Sequence, residues 1–257
     1  MNAADTPSPS AEPTASPWIA GADGCRGGWV VAFLRLDGTE PPCLRGARDL
    51  AAILDGPEAP RLVAVDMPIG LPDRIVGPGR AAEQAVRPLL GARQSSVFSM
   101  PARAAVHADG YADACAAALA ASTPPRKVSK QGFMLFPKVR EIDALLRARP
   151  GDVARVHESH PEVAFWRMNG ERALDTPKKV RGRPHPPGLE ARAALLLAAG
   201  LPPALLAAER PRGAGADDLI DALACLVVAR RLAEGTARPF PDPPDRDAHG
   251  LPVAIWA

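Results

Sequence analysis

Four acidic stations, Asp23, Asp66, Glu158 and the pair Asp218/Asp221, are the residues of this chain with the clearest capacity for chemistry. The first three each close an apolar, strand-like run (WIAGAD, RLVAVD and VARVHE). The last two stand three apart at the start of a long helical pattern. Mg²⁺ and Mn²⁺ take hard oxygen ligands, and two such ions roughly 3.5–4 Å apart clamp a phosphodiester for in-line attack. Phosphoester hydrolysis is therefore the leading chemistry. Asp23, Asp66, Asp218 and Asp221 are the expected ligands of Mg²⁺ or Mn²⁺, with Glu158 as a further candidate catalytic acid.

Each station has a structural reading beside the functional one. Asp23 precedes Gly24-Cys25-Arg26-Gly27-Gly28, where an Asp can simply shape a turn; the same glycines allow backbone amides to approach a phosphate, with Arg26 adding a charge. Asp66 ends a buried run, and an unpaired carboxylate there costs several kcal/mol, so a cation is the stronger reading. In Asp217-Asp218-Leu219-Ile220-Asp221, Asp217 suits a helix cap. The spacing of three puts Asp218 and Asp221 on one face, where like charges repel. His157-Glu158-Ser159-His160-Pro161-Glu162 is no zincin motif, because Pro161 stands where the second His belongs. His157 and His160 read as structural, and Glu162 as a helix-start acid.

Two further segments suit substrate contact. Gln94–Arg103 carries Ser95 and Ser96 flanked by Arg93 and Arg103, and without a partnered His a serine nucleophile is disfavoured. Lys178-Lys179-Val180-Arg181-Gly182-Arg183 is a charge run of the kind usually just solvated, but beside an acidic metal site it is a candidate phosphate-tracking loop. Lys138, in an amphipathic helical segment, joins the candidate substrate contacts.

The elements that must position these residues follow from periodicity. Trp18–Asp23 and Trp29–Leu36 read as a hairpin, Cys43–Ala47 as a third strand, Asp49–Leu54 as a short helix and Arg61–Asp66 as a central strand. A helical insertion is expected at about 77–149, with helices at Tyr111–Ala121 and Lys138–Arg147. Val153–Glu158 reads as another strand. Helices follow near Pro161–Met168, Gly188–Ala199, Pro202–Glu209 and Asp217–Glu234, and Leu251–Trp256 is a candidate edge strand. This order is that of a ribonuclease H-like α/β fold, a mixed five-stranded sheet flanked by helices, spanning residues 18–257. That fold binds ligands at the carboxyl ends of its central strands.

Composition frames the same picture. The chain has 257 residues, 47% hydrophobic and 4% aromatic, so the core is built from Ala, Leu and Val. A net charge of +2 neither demands nor excludes a polyanion. Four scattered cysteines form no C-x-x-C and fit a reducing, cytoplasmic setting. No run approaches the ~18 apolar residues needed to cross a membrane. Residues 1–17 are rich in Pro, Ser, Ala and Thr and read as a disordered tail, not a signal peptide.

The segments GADGCRGGWVVA (21–32), DMPIGLP (66–72), GARQSSVFSMPAR (91–103), PKVREID (137–143), HESHPE (157–162) and DDLIDALA (217–224) together resemble an uncharacterised bacterial and archaeal family of predicted ribonuclease H-like nucleases, domain of unknown function 429. The last helix is also similar to that of bacterial Holliday-junction resolvases, which carry D-x-x-D-A-L-A. Residue by residue, Asp218 and Asp221 fall on those two acids and Asp23 on the first-strand acid. Asp66 stands where the resolvases have Glu, which shortens its reach, and Glu158 has no counterpart. The resemblance implies a metal-dependent nuclease with nucleic acid as partner. Two alternatives stand beside it: a nucleotide- or phosphate-binding protein of the actin and sugar-kinase type, and a non-catalytic binding protein on the same fold.

Overall fold

Alternation along the first apolar runs decides which side of the sheet each residue serves. In the computed structural model, which describes residues 17–257, the expected tail lies outside the described residues apart from Pro17. The Pro17 carbonyl accepts the Leu36 N–H at 3.0 Å. Strands β1 (Trp18–Cys25) and β2 (Gly28–Arg35) form the antiparallel hairpin, β3 (Cys43–Ala47) pairs with β2, and β4 (Leu62–Asp66) lies parallel to β1. Strand β5 (Val156–Glu158) completes the order β3-β2-β1-β4-β5, a mixed five-stranded sheet in an α/β fold, consistent with the ribonuclease H-like arrangement.

Ala20, Ala22, Val63, Val65 and Val156 turn to one face and Ile19 and Ala64 to the other. The first face is covered by α1 (Leu50–Leu54) and by the insertion's α3 (Phe136–Ala148), while α2 (Ala81–Val86) of the insertion packs in a separate cluster with Val253 and Ile255. The second face is covered by α4 (Pro161–Met168), α5 (Pro186–Ala198) and the long α6 (Ala216–Ala233). Leu223, Leu226 and Val228 of α6 are fully buried, each such side chain contributing about 1.5–3 kcal/mol. Gly21 sets how close α6 comes: a Cβ there would lie 2.0 Å from the Leu226 amide nitrogen and 2.3 Å from the Ala222 carbonyl oxygen. Only a bare backbone admits that approach.

Two expected strands differ from the structure. Val153–Arg155 turns instead of extending, because Asp152 binds Arg155 through its carboxylate (2.6 Å) and its carbonyl (2.9 Å). The C-terminal run does not extend the main sheet. It forms a separate hairpin, β6 (Pro239–Arg246) with β7 (Pro252–Trp256), and meets β5's end through an isolated bridge from Trp256 to Ser159. Pro161 opens α4 just beyond, which leaves no further strand edge to pair with.

Candidate metal centre

Register brings the first two acids together. Asp23 and Asp66 are direct partners in the parallel β1–β4 pair, so their side chains share the face that α6 covers. Because α6 sits on Gly21, its first turns pass over the ends of these strands and bring Asp221 to the same point. Single carboxylate oxygens of Asp23, Asp66 and Asp221 all lie within 4.8 Å of one another. Asp23 and Asp221 are buried and Asp66 partly so. Among the described residues, Asp23 and Asp66 have no side-chain hydrogen bond or ion pair, and Asp221 Oδ1 is buried without a hydrogen-bond partner. Asp221 Oδ2 takes the Lys178 ammonium. The three acids line a cleft of about 400 Å³ that also holds Lys178, Lys179, Asp217, Asp218 and His160.

Lys178 is where the structure departs most from the sequence reading. The segment 178–183 is no loose loop: Lys179–Val180 and Arg183–Pro184 form a small hairpin whose turn has Arg181 and Gly182 in the left-handed region. Its first residues lie inside the carboxylate cluster, not outside it. Lys178 pairs with Asp221 and Lys179 with Asp217, while Arg181 and Arg183 are exposed. The helix start also differs, and neither Asp217 nor Asp218 is in the group of three. Asp218, not Asp217, accepts the Gly215 N–H at 2.8 Å and so caps α6.

Glu158 lines the same cleft, and its charge adds to the rise of Asp66, but it stands outside the group of three. Its partner across the β4–β5 pair is Val65, one residue before Asp66, so the two carboxylates leave the sheet on opposite faces. Glu158 instead binds Arg80 with both oxygens (2.6 and 3.0 Å) and accepts the Ile69 N–H at 2.7 Å. Arg103 is likewise spent on structure, paired with Asp143 and Asp247 at 2.7 Å each. Lys138 lies over the Trp29 ring at 4.5 Å and pairs with Glu141, its stem passing beside Gly24.

The remaining candidates scatter. Arg26 is exposed in the hairpin turn, Arg93 is partly buried, and Ser96 binds the Arg93 carbonyl at 2.8 Å. Ser95 is exposed in a second cleft of about 490 Å³ with Arg87, Arg126 and Lys127, which meets the first along Val97 and Phe98. Gly28 answers to its neighbour strand: a Cβ would lie 2.1 Å from the Ala47 carbonyl oxygen. His157 binds the Ala154 carbonyl at 3.1 Å and meets Trp256 edge-on, and burial lowers its pKa. His160 lines the main cleft, and burial depresses its pKa to about 4.

The electrostatics record too few cations for the acids present. Burial, then the charges of Asp66 and Asp221, hold Asp23 well above the usual carboxylate range. Burial and then Asp221 push Asp66 up to about 8. Burial raises Asp221 although Lys178 opposes it. Burial works against the Lys178 ammonium as well, yet Asp221 and Asp66 raise its pKa above the ordinary lysine value. When all three carboxylates are ionised, one ammonium leaves two negative charges, and burial together with that repulsion drives the acids to hold their protons. A divalent cation fits that deficit, the oxygen-only donor set and the unpartnered Asp221 Oδ1.

A family model described as "Protein of unknown function (DUF429)" matches residues 21–246, and the chain belongs to that family. The match begins in β1 and runs through α6, so it contains the whole carboxylate cluster. No curated protein and no solved structure gives a significant match. Among the described residues, no helix is long and apolar enough to cross a membrane.

Proposed function

We propose that this protein is a divalent-metal-dependent phosphodiester hydrolase, a nuclease whose Mg²⁺ or Mn²⁺ is held by Asp23, Asp66 and Asp221. The observation that carries this reading is the close approach of three carboxylates at the ends of β1 and β4 and the start of α6, with a buried oxygen left unpartnered among them. A purely structural cluster would be expected to neutralise its acids, as Arg192 does for Glu162 with hydrogen bonds of 2.7 Å to each oxygen. When bound, the cation would supply Lewis-acid polarisation of a phosphoryl oxygen and a more acidic water.

The chain's own residues would do the rest. Asp218 holds the α6 N-terminus in place through Gly215, which keeps Asp221 over the strand ends. The second cleft supports a substrate with several phosphates. Among the described residues Arg87, Arg126 and Lys127 have no carboxylate within ion-pair distance, and Arg87 is oriented by hydrogen bonds to the carbonyl of Val97 (3.1–3.2 Å) and the hydroxyl of Ser99 (2.7 Å). Such cations suit backbone phosphates read without base identity.

The test is cleavage of single-stranded, duplex, hybrid and junction nucleic acids with Mg²⁺ or Mn²⁺. Asp66→Asn should abolish whatever cleavage is seen. Absence of cleavage of every substrate with either ion would remove the nuclease reading.

A further inference from the structure

We infer that Lys178 is the resident second cation of the carboxylate centre, so that the site takes one divalent ion per chain and not a pair. The inference rests on the metal-dependent reading above and concerns how many ions that site accepts. Its first support is the way Lys178 is built in. A Cβ on Gly188 would lie 1.9 Å from the Pro177 carbonyl oxygen, so the backbone just before Lys178 lies directly on the first turn of α5. The Lys178 carbonyl accepts the His185 N–H at 2.8 Å. One residue before Pro177, the Thr176 carbonyl accepts from Arg192 at 2.9 Å, and Arg192 is itself fully buried and held by both oxygens of Glu162. A lysine meant only to sweep a passing phosphate needs no such seating. Its neighbour Lys179 shows the contrast: that side chain is 44% exposed, against 23% for Lys178.

The second support is the ligand count. While Lys178 occupies Asp221 Oδ2, a second metal ion would need oxygens beyond those left on Asp23, Asp66 and Asp221, and the two acids expected to provide them are engaged. Asp218 accepts the Gly215 N–H and lies outside the group of three. Glu158 faces the other side of the sheet, bound to Arg80. The third support is charge. One divalent ion with one ammonium balances three carboxylates, whereas two divalent ions with the ammonium would leave two positive charges uncompensated in a largely buried site. Burying unbalanced charge is strongly unfavourable. Lys178 would then stabilise negative charge on the phosphoryl group from a fixed position, an electrostatic role that needs no reorganisation during reaction.

Mn²⁺ binding to the full chain, followed by electron paramagnetic resonance and calorimetry, decides the matter. The expected result is one ion per chain in the wild type, one in Lys178→Arg and two in Lys178→Ala, with Asp66→Asn removing the wild-type ion. Lys178→Met, which keeps the stem without the charge, serves if the alanine variant does not fold, and should also bind two. Two ions in the wild type would overturn the inference and leave the metal-dependent reading standing. One ion in both Lys178→Ala and Lys178→Met, or binding only after Lys178 is removed, would likewise overturn it. No Mn²⁺ bound by the wild type or any variant would defeat the metal-dependent reading itself.

Discussion

Asp66 and Glu158 end adjacent parallel strands one register step apart, and their surroundings differ in kind. Glu158 emerges on the insertion face, where Arg80 grips both its oxygens and the Ile69 amide adds a third hydrogen bond. Asp66 emerges on the helix face beside two more carboxylates and no guanidinium. The contrast extends beyond the pair. On the insertion side, Asp143 and Asp247 share Arg103, and Asp247 also accepts the Leu71, His249 and Leu251 amides. On the helix face Arg192 serves Glu162 in the same way, yet no arginine reaches Asp23, Asp66 or Asp221 among the described residues. Unpaired buried acids are destabilising, so their retention at the strand ends points to a cation that is not part of the chain.

The largest expected effect comes from breaking the well-served face. Arg80→Met leaves Glu158 and Glu83 buried without their guanidinium and should lower unfolding free energy by about 3–5 kcal/mol. Urea melts should show this loss equally with and without divalent metal, since Arg80 serves acids that hold no ion. A loss that metal reverses would mean the two faces are not separate.

One substitution made on each face should give opposite signs. Asp143→Asn removes a carboxylate that burial would raise but that Arg103 and His107 hold below the usual range. It should destabilise by about 1–3 kcal/mol. Asp66→Asn removes one of three mutually repelling acids, and should raise apoprotein stability by about 1–3 kcal/mol while abolishing any metal-induced gain. Equal signs from the two would end the comparison.

The division between the faces was only half visible in the sequence. Asp23 and Asp66 were legible because each ends a continuous apolar run, and strand ends in this fold meet at one edge. Asp221 was legible because Leu223 and Leu226 follow it on a helix that must bury them. What could not be read was pairing over distance. Nothing local says that Arg80 belongs to Glu158, Arg103 to Asp143 and Asp247, or Lys178 to Asp221 43 residues on. A run of lysines and arginines looks like solvated surface until Gly188 and Arg192 are seen to seat it. Which face Glu158 takes depends on a one-residue register, which no apolar pattern reports.

Acidity should sharpen the same contrast. The folded-state pKa of Asp66, about 8, lies above its unfolded value, so its contribution favours the folded apoprotein at pH below about 4 and is lost as pH rises through about 8. Asp143 behaves oppositely: its pKa is lowered, and its contribution is lost as pH falls through that lowered value. Because a cation displaces protons from Asp23 and Asp66, the metal-induced rise in melting temperature should grow between pH 6 and 8.5. Melts across that range with Mg²⁺ and with chelator check the sign. A gain that shrinks with pH would contradict carboxylate ligation.

The smallest effect on stability, and a selective one on binding, is expected at the second cleft. Replacing Arg126 and Lys127 by Ala should leave the metal response intact and reduce the salt slope of nucleic-acid binding by about 2, one for each lost phosphate contact. An unchanged slope would make these residues solvated surface and favour a small phosphorylated substrate.

The most direct test of the carboxylate cluster as a divalent-cation site is the melting temperature of the wild type and of Asp221→Asn, each with chelator and with millimolar Mn²⁺. At a hundredfold excess over Kd, mass action supplies about 2.7 kcal/mol, a rise of roughly 5–10 °C for a domain of this size. The account predicts that rise in the wild type. It predicts an Asp221→Asn variant whose melting temperature is indifferent to Mn²⁺. A wild type whose melting temperature is the same in chelator and in Mn²⁺ would contradict it.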